Sequence, residues 1–307
     1  MKKQTRNSAL LVLAALLWGV AFVAQSEGGT AVGPYSFNCI RCFIGAAVLC
    51  PVFLLLDLFK LSAGKPQTKT QKKNLWQGGI ACGVILFFAT NLQQVGLVMG
   101  TSPGKAGFMT ACYIVLVPII GLFFKKKCSW LIGISVVLTV IGLYLLCINE
   151  SLTFCTSDIL VIICAFAFSA HILVVDRFSP LVDGVRMSCI QFLVCGVLTS
   201  IPMFFMEMQG SFSAWLEPFS SANAWIPVLY TGIFSSGVAY TLQIVGQKGV
   251  NPTVASLLMS LESVFSALAG WLILGQAMTL KELSGCALIF IAVILAQIPV
   301  RTRKKAI

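Results

Sequence analysis

The sequence predicts an all-α integral membrane protein with ten transmembrane helices, arranged as two inverted five-helix repeats. Three observations lead to this fold class: the composition, the number of apolar stretches and a similarity between the two halves. Of the 307 residues, 58% are apolar and 10% are charged, against about 25% charged residues in an average soluble domain. Too few polar residues remain to cover the outside of a water-soluble protein, so a soluble enzyme is excluded and a lipid bilayer is the expected solvent.

Ten apolar stretches are each long enough to cross a bilayer, which takes about 20 residues. In chain order they are 8–26, 35–57, 75–95, 104–124, 130–149, 157–176, 184–206, 224–245, 252–274 and 281–299. The gaps between them are mostly short and leave no room for a soluble domain. We therefore assign 1–149 to the first five-helix repeat, 150–300 to the second, inverted repeat and 301–307 to a basic cytoplasmic tail.

The lysine and arginine residues predict the orientation in the membrane. With both termini in the cytoplasm, 18 of the 21 lie in cytoplasmic segments, Lys105 and Lys281 lie on the opposite side, and Arg41 lies within a span. This positive-inside distribution is typical of a multi-pass protein of the cytoplasmic membrane. The net charge of +11 is thus an orientation signal, and no nucleic-acid partner is expected because the charges do not form one basic face.

The residues that hold metals or perform catalysis are scarce. There are 12 cysteines and one histidine, and nearly all the cysteines lie inside apolar stretches, where they are expected to pack as small apolar side chains. With one histidine in the chain, few histidine ligands are available for a Cys/His zinc cluster. We predict no metal, no cofactor and no catalytic residue. The chain also lacks the GxxxxGK[ST] loop of an ATPase, so any driving force for transport must be a gradient.

The two halves resemble each other when the second half is aligned so that position 189 falls on position 39. Cys39-Ile40-Arg41 then matches Cys189-Ile190-Gln191, and segment 92–96 matches 242–246. We call residues paired by this alignment repeat counterparts. Because each half has an odd number of spans, the second must insert upside down relative to the first. Inverted repeats recur in secondary transporters, where exchange of the two half conformations opens a central site to one side and then to the other.

Several stretches, in the same order along the chain, resemble motifs of the EamA-type ten-helix members of the drug/metabolite transporter superfamily. They are Leu17-Trp18-Gly19-Val20-Ala21-Phe22, Cys39-Ile40-Arg41-Cys42-Phe43, Gly104-Lys105-Ala106-Gly107-Phe108, Val117-Pro118, Pro252-Thr253-Val254-Ala255-Ser256, Ser260-Leu261-Glu262-Ser263-Val264-Phe265 and Gly270-Trp271-Leu272-Ile273-Leu274-Gly275-Gln276. Ser263 stands where the family often has Pro, which puts a kink of the ninth helix in question, and Gln276 stands where it often has Glu. The resemblance covers essentially the whole chain and implies a permease, above all an exporter of amino acids or related compounds.

Three titratable residues within the predicted spans are candidates for the transport pathway. Glu262 lies at the middle of span 252–274, where a charge is costly; it either couples protons or binds an amine, or it only hydrogen-bonds a neighbouring helix. Arg41 either binds a substrate carboxylate with its planar fork or extends to the interface. His171 titrates near physiological pH in water and either carries protons or serves packing.

Uncharged polar and aromatic residues within the spans complete the candidate pathway. The repeat counterparts Gln93 and Gln243 line two halves of one pathway or hold helices together. Gln191 is the repeat counterpart of Arg41, so that one face of the membrane would offer a charged contact and the other a neutral one. Aromatic residues that either line a cavity or pack in the core are Trp18, Tyr113 and Tyr240.

The sequence therefore favours a secondary transporter of a small polar metabolite, with protons as a candidate coupling ion and membrane lipids as its surroundings. A nucleotide-sugar or lipid-linked-sugar carrier of the same superfamily is the alternative, although a phosphate-rich substrate should need more cations than Arg41 within the spans. An intramembrane enzyme is a remote alternative, because the Ser235-Ser236-Gly237 segment would have to use His171. Gly142 and Gly285 let the fifth and tenth helices pack together or against a second copy, which leaves monomer and homodimer open.

Overall fold

The computed structural model describes residues 2–59, 68–101, 103–123, 129–147, 155–274 and 278–298. Within these ranges every regular element is helical and there is no strand, which confirms the predicted all-α class. The predicted basic tail 301–307, the lysines at 125–127 and Gln276 lie outside the described residues.

Six α-helices form the first half of the chain. They are α1 Lys2–Val32, α2 Pro34–Leu58, α3 Lys69–Val98, α4 Pro103–Ala111, α5 Tyr113–Phe123 and α6 Trp130–Cys147. Gly33 joins α1 to α2 with a φ of 90°, a conformation that glycine adopts without strain. Pro34 follows at the first position of α2, where its missing N–H costs nothing. Thr68 starts α3 with a capping box closed by Gln71, which satisfies two otherwise unpaired N–H groups.

Eight further α-helices form the second half. They are α7 Thr156–Phe178, α8 Gly184–Pro202, α9 Phe212–Leu216, α10 Ala222–Tyr230, α11 Tyr240–Gly246, α12 Pro252–Met259, α13 Leu261–Leu274 and α14 Leu280–Ala296. Two π-helical segments extend these helices. One, Met203–Glu207, follows α8, and the other, Thr231–Ala239, joins α10 to α11 into one continuous rod.

Eight helices of the described residues are long and apolar enough to cross a membrane. They correspond to eight of the ten predicted spans, and the protein is a multi-pass membrane protein. The predicted fifth and tenth spans correspond to α6 and α14, with 18 and 17 residues. The apolar part of α6, Trp130–Leu146, is shorter than the other candidate spans, so the count of ten stays a prediction.

Two spans are broken near their middle. The break between α4 and α5 lies at Cys112, whose N–H donates to the carbonyl of Met109. The break between α12 and α13 lies at Ser260. It occurs without a proline at position 263, where the family resemblance leads one to expect a proline and a kink. The hydroxyl of Ser260 donates to the carbonyl of Leu257 at 2.7 Å, and such bonds from serine to the preceding turn bend helices.

Close helix contacts recur between repeat counterparts. A methyl group on Gly96 of α3 would lie 2.6 Å from a side-chain carbon of Val161 in α7. A methyl group on Gly246 of α11 would lie 3.0 Å from a side-chain carbon of Leu11 in α1. Gly246 is the repeat counterpart of Gly96, and Val161 is that of Leu11. The contact of α3 with α7 is therefore repeated in the contact of α11 with α1.

The antiparallel helices α2 and α8 are joined at both ends by a carboxylate. At one end Glu207 accepts hydrogen bonds from the N–H of Ser36 at 2.6 Å and from its hydroxyl at 2.6 Å. At the other end Asp57 forms an ion pair with Arg186. Glu207 is the repeat counterpart of Asp57, and Arg186 is that of Ser36. The two ends of this helix pair are therefore built alike.

The helices α6 and α14 pack against each other within one chain. A methyl group on Gly142 would lie 2.8 Å from the carbonyl oxygen of Gly285, and one on Gly285 would lie 2.6 Å from the carbonyl oxygen of Gly142. The sequence leaves two alternatives for these glycines, a contact between the fifth and tenth predicted helices or a contact with a second copy. The structure shows the contact between the fifth and tenth predicted helices. Such an approach needs glycine on both sides because the obstacle is backbone.

Candidate functional site

A cavity lies among α1, α2, α3, α7, the rod that contains α11 and the two broken spans. The space open to the centres of water molecules in it is about 50 Å³, enough for a few waters or one compact solute. Seven of the nine predicted site residues line it: Trp18, Arg41, Gln93, Tyr113, Tyr240, Gln243 and Glu262. His171 and Gln191 do not.

The two helix breaks form one wall of the cavity. Tyr113 is the first residue of α5, and Glu262 is the second residue of α13. The Tyr113 hydroxyl donates to Oε1 of Glu262 at 3.2 Å. Glu262 is only 7% exposed, and within the described part of the chain it forms no ion pair with Lys or Arg. A buried carboxylate without a cation is costly, so this wall favours a cationic group in the cavity.

Another wall carries the guanidinium of Arg41, which is 4% exposed. Its Nη1 donates to Oε1 of Gln25 at 3.0 Å, and its Cζ lies 5.5 Å from the centre of the Phe37 ring. Its Nε is buried without a hydrogen-bond partner, and no acidic side chain of the described residues forms an ion pair with it. An arginine held in this way can still offer N–H groups to an anion.

Uncharged polar groups complete the cavity wall. Gln93 donates through Nε2 to the hydroxyl of Thr110 at 2.9 Å. Nε1 of Trp18 and Oε1 of Gln243 are buried without partners. Unpaired buried polar atoms in a native structure call for an explanation, and a polar solute in the cavity would supply their missing hydrogen bonds.

Aromatic rings cover the rest of the cavity. The rings of Trp18 and Tyr240 meet edge to face with centroids 4.8 Å apart. Phe22 and Phe168 also line the space. The cavity therefore combines apolar walls with a few polar groups of both charge signs, which is typical of small-molecule sites.

His171 and Gln191 form a separate pair behind Tyr240. Nε2 of His171 lies 3.1 Å from Oε1 of Gln191, and the His171 ring lies 5.9 Å from the Tyr240 ring. The Nε2 of His171 thus bonds Gln191 and not Ser236, so the Ser–His pairing that an intramembrane serine protease would need is not formed here.

Sequence reasoning missed several lining residues, among them Gln25, Thr110 and Ser235. Gln25 and Thr110 lie within predicted spans, so their polarity alone was an available signal. Ser235 lies in the π-helical segment Thr231–Ala239, and such segments occur frequently at functional sites. Within the part of the chain that the structure describes, no three His, Cys, Asp or Glu side chains come together as metal ligands would.

Comparison with curated proteins identifies relatives along nearly the whole chain. An uncharacterized transporter of Archaeoglobus fulgidus is 27% identical over 94% of this chain and 85% of its own length. The uncharacterized transporter YoaV of Bacillus subtilis is 22% identical over 91% and 92%. A WAT1-related chloroplastic protein of Arabidopsis thaliana is 25% identical over 94% and 69%.

A solved crystal structure has the same fold. It superposes with a TM-score of 0.75 over 95% of this chain and 96% of that chain, at 18% sequence identity. The EamA-like transporter family itself matches the sequence twice, over residues 7–148 and 156–297. The two matches cover most of the chain, one in each predicted repeat, and the protein therefore belongs to the EamA-like transporter family.

Proposed function

We propose that this protein is a secondary transporter that moves amino acids or related small zwitterions across the cytoplasmic membrane by alternating access, above all as an exporter. The observation that carries the proposal is one cavity lined by both Glu262 and Arg41, neither of which has an oppositely charged partner among the described residues. A solute with an ammonium and a carboxylate group would pair with both.

The energetics support a zwitterion over a neutral solute. Each of the two buried charges is costly without a counter-charge. Hydrogen bonds to charged groups contribute about 1.5–3 kcal/mol each, so a substrate ammonium at Glu262 and a carboxylate at Arg41 would recover part of that cost. Glu262 is also the residue through which we expect protons to couple to transport.

We also propose ten spans arranged as two inverted five-helix repeats, with both termini in the cytoplasm. The repeated helix contacts support the repeat, and the distribution of Lys and Arg supports the orientation. Helix contacts recur between repeat counterparts, and the breaks at Cys112 and Ser260 follow the helices α4 and α12, each of which begins at a proline, Pro103 and Pro252. Broken helices at corresponding positions of two halves are typical of substrate sites in transporters. In alternating access, each half adopts in turn the conformation of the other.

The size and charge of the cavity argue against the alternative substrates. A nucleotide sugar carries several phosphate charges, whereas Arg41 is the one Lys or Arg among the residues that line the cavity in the described structure. The space of about 50 Å³ for water centres suits a compact solute better than a nucleotide or a lipid-linked sugar. The relatives' names also support a transporter and not an enzyme.

The test is uptake of a panel of labelled amino acids into proteoliposomes, with and without an imposed pH gradient. We expect uptake of one chemical class by the wild type and its loss in Glu262→Gln and in Arg41→Gln. The matched controls are Glu217→Gln and Arg177→Gln, because neither residue lines the cavity. No uptake of any amino acid by folded wild-type protein would refute the proposed substrate class.

A further inference from the structure

The position equivalent to Arg41 in the second half holds a similar but uncharged arrangement. Arg41 lies seven residues after the start of α2, and Gln191 lies seven residues after the start of α8. Each bonds a side chain of the helix that precedes its own: Arg41 bonds Gln25 of α1 at 3.0 Å, and Gln191 bonds His171 of α7 at 3.1 Å. Val175 is the strict counterpart of Gln25, and His171 lies one helical turn before it.

The pair formed by His171 and Gln191 has hydrogen-bonding atoms without a partner. An amide oxygen only accepts, so the bond to Oε1 of Gln191 requires the proton of neutral His171 to be on Nε2. Nδ1 of His171 is then an acceptor and Nε2 of Gln191 a donor, and neither atom has a partner. Both side chains are 0% exposed. Two hydrogen-bonded side chains thus keep one buried donor and one buried acceptor without partners. A binding site that is closed to its ligand would show such unpaired polar atoms.

Tyr240 contacts both the cavity and the pair formed by His171 and Gln191. Tyr240 lines the cavity and contacts Trp18 there at 4.8 Å between ring centroids. The same ring lies 5.9 Å from the ring of His171. A movement of Tyr240, or of the helix that carries it, would therefore join His171 and Gln191 to the cavity.

We propose that His171 and Gln191 form a second, uncharged binding site for the same zwitterionic substrate, used when the cavity opens to the opposite face of the membrane. The inference rests on the proposed function, because exchange of the two half conformations is what brings Gln191 to the position that Arg41 holds now. In the second site, Nε2 of Gln191 donates to a carboxylate oxygen of the substrate and Nδ1 of His171 accepts from its ammonium group.

The two sites should differ in affinity. A guanidinium adds its own positive charge and can donate two parallel bonds to a carboxylate, whereas a neutral amide donates bonds in which only the carboxylate is charged. We therefore expect the Michaelis constant for transport to be about tenfold higher when substrate is added at the face from which Gln191 is reached than at the face from which Arg41 is reached. The asymmetry is built into the sequence, because the repeat counterpart of the arginine is a glutamine.

The test measures which face of the membrane reaches each site, and it needs no knowledge of the substrate. Arg41→Cys and Gln191→Cys are placed in full-length protein in vesicles of known orientation and treated with a membrane-impermeant cationic methanethiosulfonate. Labelling is read for each cysteine by peptide mass spectrometry, which separates the new thiols from the native ones. Leu193→Cys is the control on α8, since Leu193 is 42% exposed and does not line the cavity. We expect lipid to cover it in the membrane.

We expect the cysteine at 41 to be labelled from one face only, the cysteine at 191 from the opposite face only, and the cysteine at 193 from neither. Labelling at 41 without labelling at 191 from either face would overturn the second site and leave the proposed transport pathway intact. Labelling at neither 41 nor 191 would refute the pathway itself, and with it both proposals.

A kinetic measurement tests the site formed by His171 and Gln191 without introducing a cysteine. Gln191→Leu should raise the Michaelis constant several-fold from the Gln191 face and leave it unchanged from the Arg41 face. The probe is the labelled amino acid that the wild type transports best. Equal effects from both faces would indicate a general packing defect and would overturn the proposal, whereas Gln191→Asn should restore part of the loss because it keeps the amide donor.

Discussion

Replacing Glu262 by glutamine separates the binding role of its charge from its structural hydrogen bond. Glutamine has almost the same shape, and its amide oxygen can still accept the bond that Tyr113 now donates at 3.2 Å. The substitution removes a carboxylate that is only 7% exposed, and the cost of burying a charge disappears with it. We therefore expect the thermal midpoint of Glu262→Gln in detergent to stay equal to that of the wild type or to rise.

Substrate affinity should change in the opposite direction. A charge-assisted hydrogen bond to an ammonium group contributes about 1.5–3 kcal/mol, so Glu262→Gln should weaken binding by roughly 10- to 150-fold. Tyr113→Phe removes one neutral hydroxyl and should weaken binding by no more than about tenfold. Isothermal titration calorimetry of purified protein with the transported amino acid measures both variants.

Two outcomes would contradict the proposed role of Glu262. Unchanged affinity in Glu262→Gln would show that the carboxylate does not touch the substrate. A large drop in thermal midpoint with an unchanged affinity would show that Glu262 is a structural residue whose charge has a stabilising partner. Glu217→Gln serves as control for both measurements, because this exposed carboxylate does not line the cavity.

Three further substitutions test the helix contacts and the cap of α2. Gly19→Ala places a methyl group 2.7 Å from the backbone oxygen of Glu262, and we expect about 1–3 kcal/mol of destabilisation from such overpacking, seen as a lower thermal midpoint. Gly133→Ala, with nothing within 4 Å of the added methyl group, should leave the midpoint unchanged or raise it, and equal midpoints for the two variants would contradict the packing. Glu207→Gln removes the negative charge at the start of α2 and should cost about 0.3–2 kcal/mol, measured as a lower midpoint at low salt that approaches the wild type at high salt. An unchanged midpoint at low salt would argue against this cap.

Much of the architecture was predictable because a bilayer constrains helices strongly. Apolar length alone located eight spans that the structure bears out, and the cost of charge in the membrane drew attention to Arg41 and Glu262. The alignment of the two halves was visible in short motifs. The contact between Gly142 and Gly285 was foreseen as one of two alternatives, since glycine pairs indicate close approach and do not name the partner.

The missed features depend on contacts that one-dimensional patterns do not contain. Nothing in the sequence around Glu207 says that it will cap the distant helix α2. The sequence puts a kink near Ser260 in question, because Ser263 stands where the family often has the proline that would cause it. In the structure the break occurs without that proline, and serine hydroxyls bonded to the preceding turn accompany it. Gln25 supports Arg41 through a contact between two helices, which only the packing of α1 against α2 reveals.

The proposed function depends on one cavity that offers a carboxylate to an ammonium group and a guanidinium to a carboxylate. Its most direct test is competition in proteoliposomes between a transported labelled amino acid and two unlabelled analogues, its carboxamide and its deaminated acid. We expect neither analogue to compete well for uptake by the wild type. In purified Arg41→Gln, which we expect to have lost uptake, calorimetry should show that the carboxamide binds as tightly as the parent amino acid. Full competition by the carboxamide in the wild type would contradict the role of Arg41 and with it the zwitterion site.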